Sequence, residues 1–316
     1  MQTSDKGMKR FVVRLLIFLV LMFILDRGFG MTMTYLQNHA KGGYVGHHNY
    51  ILQHANEDIL IFGSSRAIHH YDPQILMDSL GMSCYNCGQD GNGIILFYGW
   101  WHIMKHRHVP KVIIYDVNPS FDLLVGEDNS KYLGWLRSEY DNAGVKEIFN
   151  DVDPTERFKM TSMMYRFNSK FLQNITDYIH PLFNISSNGF LPLKGKLNKM
   201  KIKQNKKSKR YKNDELKLKY LSNFIKECKE LNVKLIFVSS PIWYGRNEEQ
   251  LQVVNDLCCK HEIPFYDYSN DKNFVKNDEF FKDGNHLNAH GADVFTSKLC
   301  SQVLYDLNRK YEKKNN

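Results

Sequence analysis

The sequence has little proline, no second long apolar run and no internal repeat, and each absence removes a class of protein. Eight prolines and 20 glycines in 316 residues do not suit a collagenous or low-complexity chain, and 43% hydrophobic with 24% charged residues is globular composition. Only one apolar run is long enough to consider for a membrane, which excludes a polytopic membrane protein. Cys84 and Cys87 form C-x-x-C, but no second C-x-x-C or histidine pair follows at finger spacing, so a zinc module is not expected. Six cysteines leave a disulfide open in an exported domain without fixing its pairing.

Acidic residues are outnumbered. Lys+Arg is 42 and Asp+Glu is 34, so the formal charge is 42 − 34 = +8, and much of it lies between Lys194 and Lys219. Tyr211 is the only aromatic in that run, and no nucleic-acid module accompanies it, so no nucleic-acid partner is expected. The run reads as a solvated excursion able to face anionic lipid or polymer.

The apolar run is Phe11 to Leu25, interrupted only by Arg14. Fifteen helical residues rise roughly 22 Å against a hydrocarbon core of roughly 30 Å, and snorkelling by Arg14 would narrow the gap. Lys6, Lys9, Arg10 and Arg14 lie at its start, which keeps the amino terminus in the cytoplasm and exports everything after residue 30. The expectation is a single-pass anchor in the inner or plasma membrane, with the body on the extracytoplasmic side. The rival reading is a signal peptide cleaved near Gly28-Phe29-Gly30. Residues 1–30 are thus assigned to a stub and transmembrane anchor, 31–57 to a connector with a short helix, and 58–316 to one globular domain with an insertion at about 120–214.

From Asp58 onward, short apolar runs alternate with helix-period segments. The runs are Ile59–Phe62, Met82–Asn86, Lys111–Asp116, Val233–Ser239 and Ile263–Tyr268. The helices are expected near 73–80, 94–106, 215–231, 248–261 and 289–310. Continuous apolar strands between helices argue a three-layer α/β/α fold with a parallel, flavodoxin-like five-stranded sheet covered on both faces. Residues from about 120 to 214 break the alternation and read as a mostly helical insertion, a cap above the strand ends.

In such sheets ligands bind beyond the carboxyl ends of the strands. Four pieces of chemistry fall there. Phe62-Gly63-Ser64-Ser65-Arg66-Ala67 puts a serine on a tight strand-to-helix turn, where it needs a base to become a nucleophile. Asp283-Gly284-Asn285-His286-Leu287-Asn288 offers a carboxylate–imidazole pair three residues apart, with the second ring nitrogen left for the serine. Gly88 offers a backbone N–H without a Cβ, with Gly91 as its competitor. Asn118 offers an amide that can donate to a developing oxyanion. His286 and His290 are spaced i, i+4, but the glutamate of a zinc-protease motif is missing, so no metal is expected. His69 and His70 lie near the serine at the start of the following helix. Trp100, Trp101, Trp135, Trp243 and Tyr244 read as core or as surfaces for a sugar.

The sequence F-G-S-S-R-A, then Gly88, Asn118 and D-x-x-H-L-N-x-x-G-A, resembles the SGNH/GDSL hydrolases. It looks most like their membrane-anchored branch, which includes D-alanylation and alginate O-acetylation factors of bacterial envelopes. The resemblance covers about residues 58–120 and 232–308. It implies Ser65 as nucleophile, His286 as base and Asp283 as its partner, with the Ser65 N–H, Gly88 and Asn118 as oxyanion donors. The family's Gly-x-Asn-Asp block stands here as Asp116-Val117-Asn118-Pro119. The implied activity is esterase or O-acyltransferase on an acylated envelope glycan, without a cofactor. A membrane-bound O-acyltransferase would be its partner. The alternative is a non-catalytic glycan-binding or assembly protein on the same scaffold.

Overall fold

The computed structural model describes residues 2–126, 128–183, 187–198 and 211–314. Five parallel strands form one sheet: β1 (Ile59–Gly63), β2 (Cys84–Asn86), β3 (Val112–Asp116), β4 (Lys234–Ser239) and β5 (Phe265–Asp267). Their order is β2-β1-β3-β4-β5, the doubly wound order in which the chain reverses direction across the sheet between β1 and β3. Register pairs Ile59 with Val112 and Val112 with Lys234, so the ends of β1 and β3, Gly63 and Asp116, lie level with Val238, one residue before the end of β4.

Strand alternation divides the core into two layers. Leu60, Phe62, Ile113, Tyr115, Leu235 and Phe237 face one side, with Phe97, Trp100, Trp101 and Phe224 from the helices Ile94–Met104 and Glu215–Glu230. Ile59, Ile61, Val112, Ile114, Ile236 and Val238 face the other, against Leu76, Phe295 and Leu299 from the helices Pro73–Leu80 and Ala289–Lys314. Central strands buried on both faces are why the sequence shows apolar runs rather than alternation there.

Three features refine the expectations. First, no helix among the described residues is long and apolar enough to cross a membrane. The apolar residues lie in a 37-residue helix, Gln2–Asn38. Extending the Phe11–Leu25 stretch in either direction takes in Arg10 or Asp26 and Arg27, which is why the expected transmembrane span is not met. Second, residues 31–57 do more than connect. The helix Gly43–Gln53 buries Val45, Ile51 and Leu52 in the main core. Third, the insertion is helical, and part of it packs into the main core. Leu133, Leu136, Ile148 and Phe149 join the same core as Trp100. Residues 199–210 of the basic run lie outside the described residues.

The insertion also holds the amino-terminal helix. The Asp26 carboxylate accepts from the N–H groups of Met163 (3.0 Å) and Met164 (2.9 Å) and from Ser162 Oγ (2.7 Å), at the start of the helix Met163–Asn168. Phe29 stacks on Phe171 with ring centroids 5.8 Å apart. Beyond this dock, Phe11 to Leu25 stays exposed on every side.

Candidate active site

β1 ends at Gly63, whose φ of +141° L side chains rarely adopt. A Cβ there would also press on the Asp116 carbonyl at 2.7 Å. The turn hands the chain to the helix Ser65–His70, so Ser65 is the first helical residue. Its backbone N–H therefore has no intrahelical acceptor. Ser65 Oγ lies 2.8 Å from His286 Nε2.

The His286 ring comes from the loop between the 3₁₀ turn Asp278–Phe280 and the last helix. Its Nδ1 lies 3.0 Å from both Oδ1 and Oδ2 of Asp283. A carboxylate only accepts, so Nδ1 carries the proton and Nε2 is left to accept from the Ser65 hydroxyl. Asp283 Oδ1 also accepts from the N–H groups of Asn285 (2.8 Å) and His286 (3.0 Å). Burial works against the Asp283 anion, but the hydrogen bond and charge of His286 and these two N–H groups outweigh it and hold its pKa below the ordinary value.

The two other proposed donors sit differently. The Gly88 N–H already donates to Asn86 Oδ1 (2.9 Å), and its carbonyl accepts from His47 Nε2 (3.0 Å). Gly88 is glycine because a Cβ would collide with the Ile68 backbone nitrogen in the serine helix. The close approach expected of Gly88 is thus to the protein's own chain. Gly91, the competitor, has φ +67° with open space around it. Asn118 Nδ2 donates to Ser64 Oγ (3.2 Å), and its Oδ1 accepts from Ser120 N (3.3 Å) as a helix cap. That leaves one Nδ2 hydrogen beside the serine turn.

Sequence reasoning missed a buried polar chain behind the site. Arg66 pairs with Asp116 at 3.1 Å, both side chains at most 2% exposed. Asp116 accepts from Ser240 Oγ, and His70 Nδ1 lies 2.9 Å from Ser240 Oγ. The Leu287 N–H donates to His70 Nε2 (3.0 Å). Ser240 gives its proton to Asp116, so His70 must donate from Nδ1 and accept at Nε2, which makes it a neutral ring. Burial, with the charges of His286 and Arg66, holds its pKa well below that of a free imidazole. The signal was present only as adjacent histidines, His69-His70. Successive residues of a helix point about 100° apart, so the two rings reach different neighbours.

His69 turns toward Leu191 and Asp90 instead. Its Nδ1 lies 2.6 Å from the Leu191 carbonyl and its Nε2 3.2 Å from Asp90 Oδ1, so it faces an acceptor at both nitrogens. Burial tends to raise the Asp90 pKa, but the His69 hydrogen bond and charge and the Tyr44 hydroxyl bring it below the ordinary value. The His69 ring stands edge-on to His286, centroids 5.7 Å apart.

Trp100 and Trp101 are fully buried core residues, and the face of Trp135 carries the Lys170 ammonium at 3.7 Å. All six cysteines are free thiols, Cys259 alone exposed. Among the described residues no group of three or more His, Cys, Asp or Glu is placed to hold a metal ion.

No family model and no curated protein matches the chain. Solved structures do. A protein assigned to the G-D-S-L lipolytic family from Desulfitobacterium hafniense DCB-2 is 8% identical, with TM-score 0.40 over 77% of this chain and 98% of that one. An acetyl xylan esterase is 12% identical, with TM-score 0.38 over 78% and 99%. A GDSL-like lipase from Bacteroides thetaiotaomicron is 9% identical, with TM-score 0.35 over 78% and 88%.

Proposed function

We propose that this chain is a serine esterase or O-acyltransferase. The single observation behind this reading is the hydroxyl–imidazole–carboxylate line: Ser65 Oγ to His286 Nε2 at 2.8 Å, and His286 Nδ1 to Asp283 at 3.0 Å. His286 takes the Ser65 proton as Oγ attacks an ester carbonyl. The tetrahedral oxyanion is met by the Ser65 N–H and the remaining Asn118 amide hydrogen. Collapse expels the alcohol, which takes the proton from His286, and leaves an acyl-Ser65. Asp283 stabilises the imidazolium at each passage. Water resolving the acyl-enzyme gives an esterase, and a sugar hydroxyl gives a transferase. Gly88 has no part in this scheme, because its N–H is already donated.

The substrate class we assign is an O-acyl ester of an envelope glycan, with a membrane-bound O-acyltransferase as acyl supplier in the transfer variant. We also assign the body to the outer face of a membrane, with the apolar end of the first helix seated in lipid. Fifteen successive residues with exposed side chains, fourteen of them apolar, support that placement.

The test is a fluorophosphonate probe together with 4-nitrophenyl acetate. Labelling and turnover should vanish in Ser65→Ala and persist in Ser64→Ala. A wild-type protein that neither labels nor turns over ester would favour the non-catalytic glycan binder. Flotation with phospholipid vesicles tests the placement: Leu19→Lys with Phe23→Lys should leave the protein at the bottom of the gradient.

A further inference from the structure

The clamp on the first helix sits at the rim of the apolar run: Leu25 ends the run, and Asp26 is the first residue held. The Arg27 side chain bends back toward the amino terminus, as helix side chains do. Its guanidinium lies 5.0 Å from the centre of the Phe23 ring and donates to the Thr161 carbonyl. Thr161 therefore stands beside the last turn of the apolar run, and the stretch 157–164 meets the helix there.

This stretch carries exposed apolar side chains next to cations. Phe158 is 64% exposed and Met164 48%. The Arg157 guanidinium lies over the Phe158 ring at 4.6 Å. Leu172 is exposed too, next to the Phe171 ring that stacks on Phe29. The carboxylates of the stretch are engaged within the protein: Asp26 by Ser162, Met163 and Met164, Glu156 by Lys159 and Tyr165 (both 2.8 Å), and Asp153 by Thr155 and Lys159. Apolar side chains and an arginine beside a helix seated in lipid match what the boundary between headgroups and acyl chains accepts.

We propose that the stretch 157–164, with Leu172, is a second membrane contact, in which Phe158 and Met164 enter the headgroup layer of a phospholipid bilayer and Arg157 meets its phosphates. The proposal rests on the seating of the first helix in lipid for its orientation, and goes beyond it by giving the folded body its own contact. Asp153 and Glu156 balance Arg157 and Lys159, and Asp26 balances Arg27. Apolar entry therefore supplies the attraction, and no anionic lipid is required. The other end of this wall provides the contrast. Leu182 is 79% exposed, but it adjoins Phe183, whose carbonyl accepts from Gly43 N–H (2.9 Å), past the end of the first helix.

The test uses the intact chain in phosphatidylcholine vesicles, with Cys259→Ser removing the exposed thiol. One fluorescent label at a time is attached through Phe158→Cys, Met164→Cys, Leu182→Cys or Leu19→Cys. Lipid carrying a nitroxide near the glycerol end of its chain should quench the labels replacing Phe158 and Met164 at least about twofold, and change the label replacing Leu182 by no more than about a tenth. Salt at about 1 M should leave this pattern intact. Quenching in place of Leu19 but not of Phe158 and Met164 overturns the second contact and keeps the helix in lipid. Quenching in place of Phe158 and Met164 but not of Leu19 keeps the second contact and removes the seated helix. No quenching at any of these positions removes both. Equal quenching in place of Leu182 and Phe158, or quenching that salt abolishes, also overturns the proposal.

Discussion

His286 and His70 have ring centroids 6.2 Å apart, and their surroundings give them opposite work. His286 has a carboxylate on one nitrogen, a hydroxyl on the other and a side chain 23% exposed. A charge on this ring would face the Asp283 carboxylate directly. His70 is fully buried, with a hydroxyl on one side and a backbone N–H on the other. Protonating it would set a charged donor against the Leu287 N–H, with no carboxylate in direct contact to balance it. The difference teaches that a histidine's role is set by which of its neighbours can only accept and which can only donate. His70 is a positioning residue: it holds the backbone that carries His286.

The largest effect that sharpens this comparison is His286→Ala. It should lower kcat on 4-nitrophenyl acetate by about 10³-fold or more while leaving the urea midpoint nearly unchanged. The comparison breaks if His70→Leu does the same. That variant should instead lower kcat by about 10- to 100-fold and cost about 1–3 kcal/mol in urea unfolding, because it leaves the Leu287 N–H orphaned in the core. Its defect should be partly repaired in His70→Gln, whose amide can accept at that site.

A smaller effect separates the two by pH. A histidine held neutral in the fold binds fewer protons than in the unfolded chain once pH falls below about 6.5. Stability is therefore complete above that value and declines as pH falls toward the folded pKa, by at most about 1.4 kcal/mol per pH unit for each such ring. His70 belongs to this class. So does His47, which burial holds at about 4 while it donates to the Gly88 carbonyl. Unfolding followed from pH 7 to pH 4 should be steep in the wild type and flatter in His70→Gln and His47→Gln. The smallest effect is at acid pH. Asp283 has a depressed folded pKa, so its contribution is present above the ordinary value of 3.8 and lost as pH falls through the folded value. Asp283→Asn should flatten the stability curve below pH 4 and nowhere else.

Much of the fold was legible because central parallel strands are apolar on both faces, and Ile59–Phe62 and Lys111–Asp116 stand out for that reason. Ser65 and the Asp283–His286 pair were legible because a tight turn and a three-residue spacing are local features. The rest was not local. Gly88 advertised a close approach, but only the register of β1 and β2 shows that the Ile68 backbone is what approaches. The Arg66–Asp116–Ser240–His70 chain joins residues up to 174 positions apart, and Trp135 and Lys170 line one cleft with Asp90 only after the insertion folds back. No spacing rule encodes such meetings. The amino-terminal run was legible as apolar, but its length fell short of the span it suggested.

The first helix runs without a break from its bare apolar end into the clamp that Asp26 makes with residues 162–164. An unbroken rod gripped at its base has no swivel. If its tip is lodged in lipid as proposed, the serine stands at a fixed height and tilt above that surface. Only polymer segments threading through that one stratum would come within its range.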